Sequence, residues 1–252
     1  MSVVIPVYNE EAEIGTIVPA VAEVLRERGA DWEIVVVDNA SGDATVARLT
    51  PLLDDTQVRL LRNEVNRGKG YSVRRGMLEA RGELRLLCDA DCAASLASLP
   101  RMEELMDGAG VVAGLRNAAD SQVSRHQPLG RRAFSLGFIL LCRAVMSEPL
   151  RDIFCGFKLF SGQAAEDVFA RCRIDGWAFD AEALAFARAL GYTVRGCGIA
   201  WVNRPASRLS IPRVVVPVLR ELVATRSYVK AEVSREHAAA AARPAAARDG
   251  GG

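Results

Sequence analysis

The apolar residues of the N-terminal half fall in short blocks separated by amphipathic stretches. Val3-Val4-Ile5-Pro6-Val7 is a β-branched run of strand length. Residues 10–28 then place Ile14, Ile17, Val18, Val21, Val24 and Leu25 on one side of a helix. Ile34-Val35-Val36-Val37 is a continuous apolar run, as a parallel strand covered on both faces requires. The same pattern predicts a short helix over 45–53, a strand at 58–61, a helix over 70–80 and a fourth strand at 84–88. Strands and helices in alternation predict an α/β fold, with a doubly wound, mostly parallel sheet and helices on both faces.

The second half is less regular. Val111-Val112-Ala113-Gly114 reads as a strand, 116–132 as an Arg-rich loop, and 134–146 as an apolar helix. Residues 152–160 read as a loop followed by a strand, 178–189 as a helix and 192–202 as a strand interrupted by glycines. Residues 211–232 form an amphipathic basic helix that Pro217 would kink. The tail 236–252 is rich in Ala, Arg, Pro and Gly and reads as disordered. The expected organisation is one domain over 1–235. Residues 1–115 are its regular first half, and 116–235 its second half with the apolar helix 134–146.

Composition narrows the chemistry. Lys plus Arg number 32 against 31 Asp plus Glu, so a net charge of +1 gives no bulk affinity for nucleic acid. Six cysteines without a CxxC pair, and two histidines, argue against zinc and for reduced core thiols in a cytosolic protein. The longest apolar run, 134–142, is far short of the roughly 20 residues that span a bilayer.

Ligands of doubly wound sheets bind beyond the carboxyl ends of the strands, and the polar residues collect there. Tyr8, Asn9 and Glu10 follow the first strand, and Asp38, Asn39 and Ser41 the second. Asn66, Arg67 and Lys69 follow the third, and Asp89 and Asp91 the fourth. Two carboxylates two residues apart share a side while the chain stays extended, and there they suit a hard divalent cation that bridges a diphosphate. Asp38 suits a base or ribose contact, although the segment DNASGDAT also reads as a turn with Asp43 as a cap. Gly68-Lys69-Gly70 fits neither standard phosphate-loop pattern. Asp180 and Glu182 open a helix, where complementing its dipole is the simpler role. Arg125, Arg131 and Arg132 precede the apolar helix, and Arg204, Ser207 and Arg208 form a later polar cluster suited to phosphate.

In order along the chain, VVIPVYNEE (3–11), VVDNASGDAT (36–45), NRGKGYSVRRGML (66–78), LLCDAD (86–91), DIFCGFKLF (152–160), GWAFDAEAL (176–184) and AWVNRPASRL (200–209) resemble the dolichyl-phosphate glucosyltransferase and dolichyl-phosphate mannose synthase branch of the family 2 glycosyltransferases. The resemblance implies a GT-A fold, a Mg²⁺ or Mn²⁺ ion and a nucleotide-sugar donor such as UDP-glucose or GDP-mannose. It also implies a polyprenyl phosphate acceptor and inversion at the anomeric carbon. By position, Pro6, Tyr8, Glu10, Asp38, Lys69 and Asp89 would line the nucleotide site, and Asp89 and Asp91 would hold the metal. Asp180 and Glu182 would lie near the sugar as catalytic residues. Arg125, Arg131, Lys158, Arg204, Ser207 and Arg208 would receive the acceptor and its phosphate. Three positions depart from the pattern: Asn39 stands where a second acid is usual, Phe154 where Gln is usual, and Arg208 where Lys is usual.

A lipid phosphate is already an anion and needs alignment more than deprotonation. Were the acceptor a hydroxyl of a small molecule or glycan, Asp180 would serve as general base. For the lipid acceptor, the expected location is the cytoplasmic, inner face of the membrane, held peripherally by the helix 134–146 and by Arg213, Arg220, Arg226 and Lys230.

Overall fold

The computed structural model describes residues 1–29, 31–124, 137, 140–142, 144, 146, 149–150, 152–202 and 211–242, the last with backbone alone over 211–217 and 236–242; for 123–124 likewise only the backbone is described. The β-branched blocks form β1 (Ser2–Val7), β2 (Glu33–Asp38), β3 (Val58–Arg62) and β4 (Leu84–Cys88). Between them lie α1 (Ile14–Glu27), α2 (Thr45–Leu49) with a 3-10 turn Thr50–Asp54, and α3 (Lys69–Glu79). After β4 come a 3-10 segment Ala93–Ser98, α4 (Leu99–Glu104), β5 (Val111–Leu115) and β6 (Gln122–Ser124). Then follow β7 (Phe157–Ser161), α5 (Gly162–Phe169), α6 (Phe179–Ala189), β8 (Val194–Gly198), β9 (Ala200–Val202) and α7 (Ile211–Ala242).

Seven strands make one sheet in the order β3-β2-β1-β4-β7-β5-β8. All of its pairings are parallel except those of β7, which runs against both β4 and β5. Strand alternation sorts the core onto two faces. Val3, Ile5, Ile34 and Val36 pack with α1, Leu96 and Leu99, whereas Val4, Val35 and Val37 pack with α3, α5, α6 and α7. The expected doubly wound arrangement is therefore present.

The departures lie in the second half. The segment 192–202 is two strands, not one: β8 extends the main sheet beside β5, while β9 pairs with β6 in a separate two-stranded sheet. β6 lies inside the stretch expected to be loop. Helix α5, which the apolar pattern left unassigned, is capped by Ser161, whose Oγ accepts the Ala164 N–H at 3.2 Å. Helix α7 continues to Ala242, past the expected end at Glu232. Of the expected helix 134–146, the described residues 137, 140–142, 144 and 146 are helical. Leu140 and Leu141 are exposed there and Cys142 is buried.

Candidate active site

The carboxyl edge of the parallel strands carries two cross-linked turns. Asn9, at φ 55°, donates its N–H to Ser41 Oγ at 2.9 Å, and its side-chain oxygen accepts the Gly42 N–H at 2.8 Å. The Glu10 N–H reaches Thr45 Oγ1 at 2.8 Å, and Asp43 accepts the Thr45 N–H at 3.0 Å, the local capping role expected of it. These bonds fix the ends of β1 and β2 against each other and leave Tyr8 46% exposed at the rim. Pro6 and Glu10 are half-buried beside it.

Asp38 ends β2 fully buried. Its carboxylate accepts the Ser41 N–H at 3.2 Å and faces Arg62 Nε at 3.3 Å. The adjacent Asn39 explains its own departure from the two-acid pattern. Its Nδ2 donates to Asn66 Oδ1 at 2.8 Å, while its Oδ1 accepts from Asn63 Nδ2 at 2.9 Å and from the Arg67 N–H at 3.0 Å. The carboxylate of an acid could accept these bonds but could not donate to Asn66. Asn39 thus holds the 63–67 loop that leads into α3.

The Gly68-Lys69-Gly70 turn begins α3 at close quarters with 174–176. A Cβ at Gly68, where φ is 101°, would fall 2.2 Å from the Asp175 carbonyl oxygen, and one at Gly70 would fall 2.3 Å from that of Ile174. This close approach directs Lys69 at Asp89, with Nζ to Oδ2 at 2.5 Å. Burial opposes the Lys69 charge, but Asp89, Asp180 and Asp91 together hold the ammonium above the usual lysine range.

Asp89 and Asp91 do not sit on an extended strand, as the sequence reasoning assumed. β4 ends at Cys88, and Asp89 to Cys92 is a turn closed by the Cys92 N–H to the Asp89 carbonyl at 2.9 Å. Both carboxylates nevertheless act on Lys69. Across the sheet, Gly156 presses on Asp89: a Cβ there would fall 1.8 Å from Asp89 Oδ2. Asp89 Oδ1 is buried and has no hydrogen-bond partner. An orphaned carboxylate oxygen beside a second half-buried acid suits a divalent cation, for which these two residues would be the protein ligands. No group of three or more His, Cys, Asp or Glu among the described residues forms a closed metal cage. Further ligands would come from a diphosphate and water.

Asp180 and Glu182 open α6, but they face different partners. Asp180 is 3% exposed and receives the ammonium of Lys158. Burial pushes its carboxyl up, against the pull of Lys158 and Lys69. Lys158 itself is 1% exposed and also donates to the Cys155 carbonyl at 2.5 Å. The expectation that it receives acceptor phosphate does not match this placement; Lys158 supports Asp180 from below. Glu182 accepts the backbone N–H groups of Arg173 at 3.0 Å and Ile174 at 2.9 Å. Burial raises its carboxyl, and its hydrogen bonds serve the 173–174 loop rather than the Lys69 cluster. The helix-dipole role expected of the pair is therefore incomplete, because both carboxylates have specific partners.

Arg116 was not singled out by the sequence reasoning, although it follows β5 at the same sheet edge as the other polar residues. It grips Asp152 with Nε to Oδ2 and Nη2 to Oδ1, both at 2.8 Å. Burial opposes the Asp152 charge, and the guanidinium more than compensates, so its carboxyl stays below the usual range. The pair anchors the start of the 152–156 loop that brings Gly156 to Asp89. In that loop the Cys155 thiol is pushed up to about 12 by burial, as befits an inert core cysteine. Phe154, a second departure, is partly buried against the core on the α3, α5, α6 and α7 face of the sheet. Arg125, Arg131, Arg204, Ser207 and Arg208 lie outside the described residues, as does the side chain of Arg213.

Comparison with known proteins bears on this site. Residues 2–169 match the family model described as glycosyl transferase family 2. The dolichyl-phosphate beta-glucosyltransferase of Dictyostelium discoideum is 29% identical over 240 residues, covering 90% of this chain and 73% of that protein. The enzyme of the same name from Drosophila melanogaster is 30% identical over 226 residues, covering 83% of this chain and 69% of its own. Among solved structures, glucosyl-3-phosphoglycerate synthase from Mycobacterium tuberculosis, in complex with Mn²⁺, UDP and glucosyl-3-phosphoglycerate, superposes with a TM-score of 0.66. At 17% identity it covers 90% of this chain and 79% of its own, and it shares the fold.

Proposed function

Because the chain belongs to glycosyl transferase family 2, in the branch of the dolichyl-phosphate glucosyltransferases, we propose that it transfers glucose from UDP-glucose to a dolichyl or related polyprenyl phosphate, with inversion at the anomeric carbon. The observation that carries this reading is the cluster of Lys69, Asp89, Asp91 and Asp180 at the carboxyl edge of the sheet, within a chain so similar to those enzymes. GDP-mannose is the alternative donor, and a soluble hydroxyl acceptor the alternative reaction.

Asp89 and Asp91 would hold a Mg²⁺ or Mn²⁺ ion, which would neutralise charge on the departing diphosphate. Tyr8, Glu10 and Asp38 line the nucleotide. Lys69 supplies a fixed positive charge beside the diphosphate and needs no rearrangement as negative charge develops there. Asp180, held by Lys158, faces the sugar side. The acceptor phosphate is its own nucleophile, so the residues align it rather than deprotonate it; Arg204, Ser207 and Arg208, with Arg125 and Arg131, are assigned to that task.

The protein works at the cytoplasmic face of a membrane, on its surface. Among the described residues, no helix is long and apolar enough to cross a bilayer. Arg220, Arg226, Lys230 and Arg235 are exposed on α7 with Val223, which is 59% exposed, and Leu140 and Leu141 are exposed on the helical segment before β7. Basic charge beside apolar side chains suits an anionic surface. The test is a donor screen with purified protein, polyprenyl phosphate and Mn²⁺, with and without chelator. Glucosyl lipid from UDP-glucose supports the reading. UDP release only with water-soluble acceptors refutes it.

A further inference from the structure

The 173–178 loop is braced from three helices. Glu182 of α6 accepts its Arg173 and Ile174 N–H groups. Tyr71 of α3 donates its N–H to the Asp175 carbonyl at 3.3 Å, and Arg74 Nη2 reaches Asp175 Oδ1 at 2.7 Å. Glu221 of α7 accepts a hydrogen bond from the Ala178 backbone and lies so close to Gly176 that a Cβ there would meet Oε1 at 2.8 Å. Bracing of this kind fixes whatever side chain the loop presents. That side chain is Trp177, which is 44% exposed and sits with its ring centroid 5.4 Å from Lys69 Nζ. Its successors Ala178, Phe179 and Asp180 are all buried.

A rigidly held indole, half exposed and with the Lys69 ammonium over its ring, suits a ligand that is apolar on its face and polar at its edge. An isoprenoid chain laid there would strip water from the partly exposed Lys69 and Asp89 without replacing their hydrogen bonds. A hexose meets both demands, with C–H groups over the ring and hydroxyls toward the charges. Lys69 marks where the diphosphate lies, and the sugar is the next group along the donor. We infer that Trp177 is the platform on which the hexose of the nucleotide-sugar stacks, and that it determines how strongly the sugar itself contributes to donor binding. The inference rests on the nucleotide-sugar donor proposed above.

Trp177→Ala and Trp177→Phe in the full chain test it, titrated with UDP and with UDP-glucose in the presence of Mn²⁺. Trp177→Ala is expected to keep UDP affinity within about twofold but to weaken UDP-glucose by about three- to tenfold, the range of a lost aromatic stack. Trp177→Phe keeps most of the sugar-dependent affinity. Equal losses for UDP and UDP-glucose, or a change confined to the KM of the lipid phosphate, overturn the inference. Should Trp177→Ala fail to fold, Trp177→Leu, which keeps apolar bulk without an aromatic face, decides by the same ratio. A wild-type chain that takes GDP-mannose instead overturns the donor assignment alone, and the variants run on GDP-mannose against GDP then decide the platform.

Discussion

Replacing Lys158 with methionine isolates the buried ion pair under the site. The substitution keeps the length and apolar stem of the side chain and removes only the ammonium. Lys158 and Asp180 are 1% and 3% exposed, so no solvent takes the place of the lost charge. Breaking one side of such a pair costs on the order of 3 kcal/mol, and in a chain of this size that lowers Tm by roughly 6–12 °C. The loss depends on pH in a defined direction. Asp180 already has a carboxyl raised above its ordinary 3.8, and Lys158 is among the groups that pull it down. Removing Lys158 raises it further, so the folded variant binds a proton more tightly than the unfolded chain does. Stability from Asp180 then falls as pH rises above 3.8 through the folded value, and returns as pH falls. Urea unfolding of both proteins at pH 5 and pH 8 should therefore show the larger deficit at pH 8. Lys158→Met/Asp180→Asn should recover much of the stability, because no unpaired charge is left buried, while transfer stays impaired. A deficit independent of pH, together with a double variant no more stable than the single one, would refute the reasoning.

Gly156→Ala should abolish transfer and lower Tm, since its Cβ would land 1.8 Å from Asp89 Oδ2; an active, stable variant would show that the 152–156 loop does not hold Asp89 in place. Asn39→Asp should cost about 1–3 kcal/mol in denaturant unfolding, because a carboxylate cannot donate to Asn66 Oδ1. Asp91→Ala should leave circular dichroism unchanged and lose Mn²⁺ binding by calorimetry along with metal-dependent transfer. Replacing Arg220, Arg226 and Lys230 with Glu should release the protein from anionic liposomes at low salt, about 1 kcal/mol per charge; unchanged sedimentation would remove α7 from the membrane contact.

The parallel half was legible because each element there carries its own signal. Ile34 to Val37 is apolar on both faces, and the helix between β1 and β2 repeats its apolar residues at helical spacing. The polar ends of β1, β2 and β4 could be placed together from the connection rule alone. What escaped is set by contacts distant in sequence. Nothing local reveals that β7 enters the sheet backwards between β4 and β5, or that the carboxylates at 180 and 182 turn to different partners. Strand periodicity sees 192–202 as one run, while the change of partner from β5 to β6 divides it near Ile199. Lys158 was assigned to the acceptor only through the family resemblance of 152–160, which says nothing of its burial. Its counterion lies 22 residues away, on another element.

The reversed strand also governs how the molecule can move. β7 lies hydrogen-bonded between β4, whose end carries the acidic turn, and β5, whose end carries Arg116. The early and late parts of the chain therefore share one continuous ladder, with no seam along which they can swing. Its beginning, Phe157, pairs with Cys88 and so lies directly under the acidic turn. The acidic turn after β4 and Arg116 after β5 are thus set relative to each other by the sheet at folding. Substitutions in the loops that follow the strands can therefore change the surface of this edge while the ladder beneath them stays fixed.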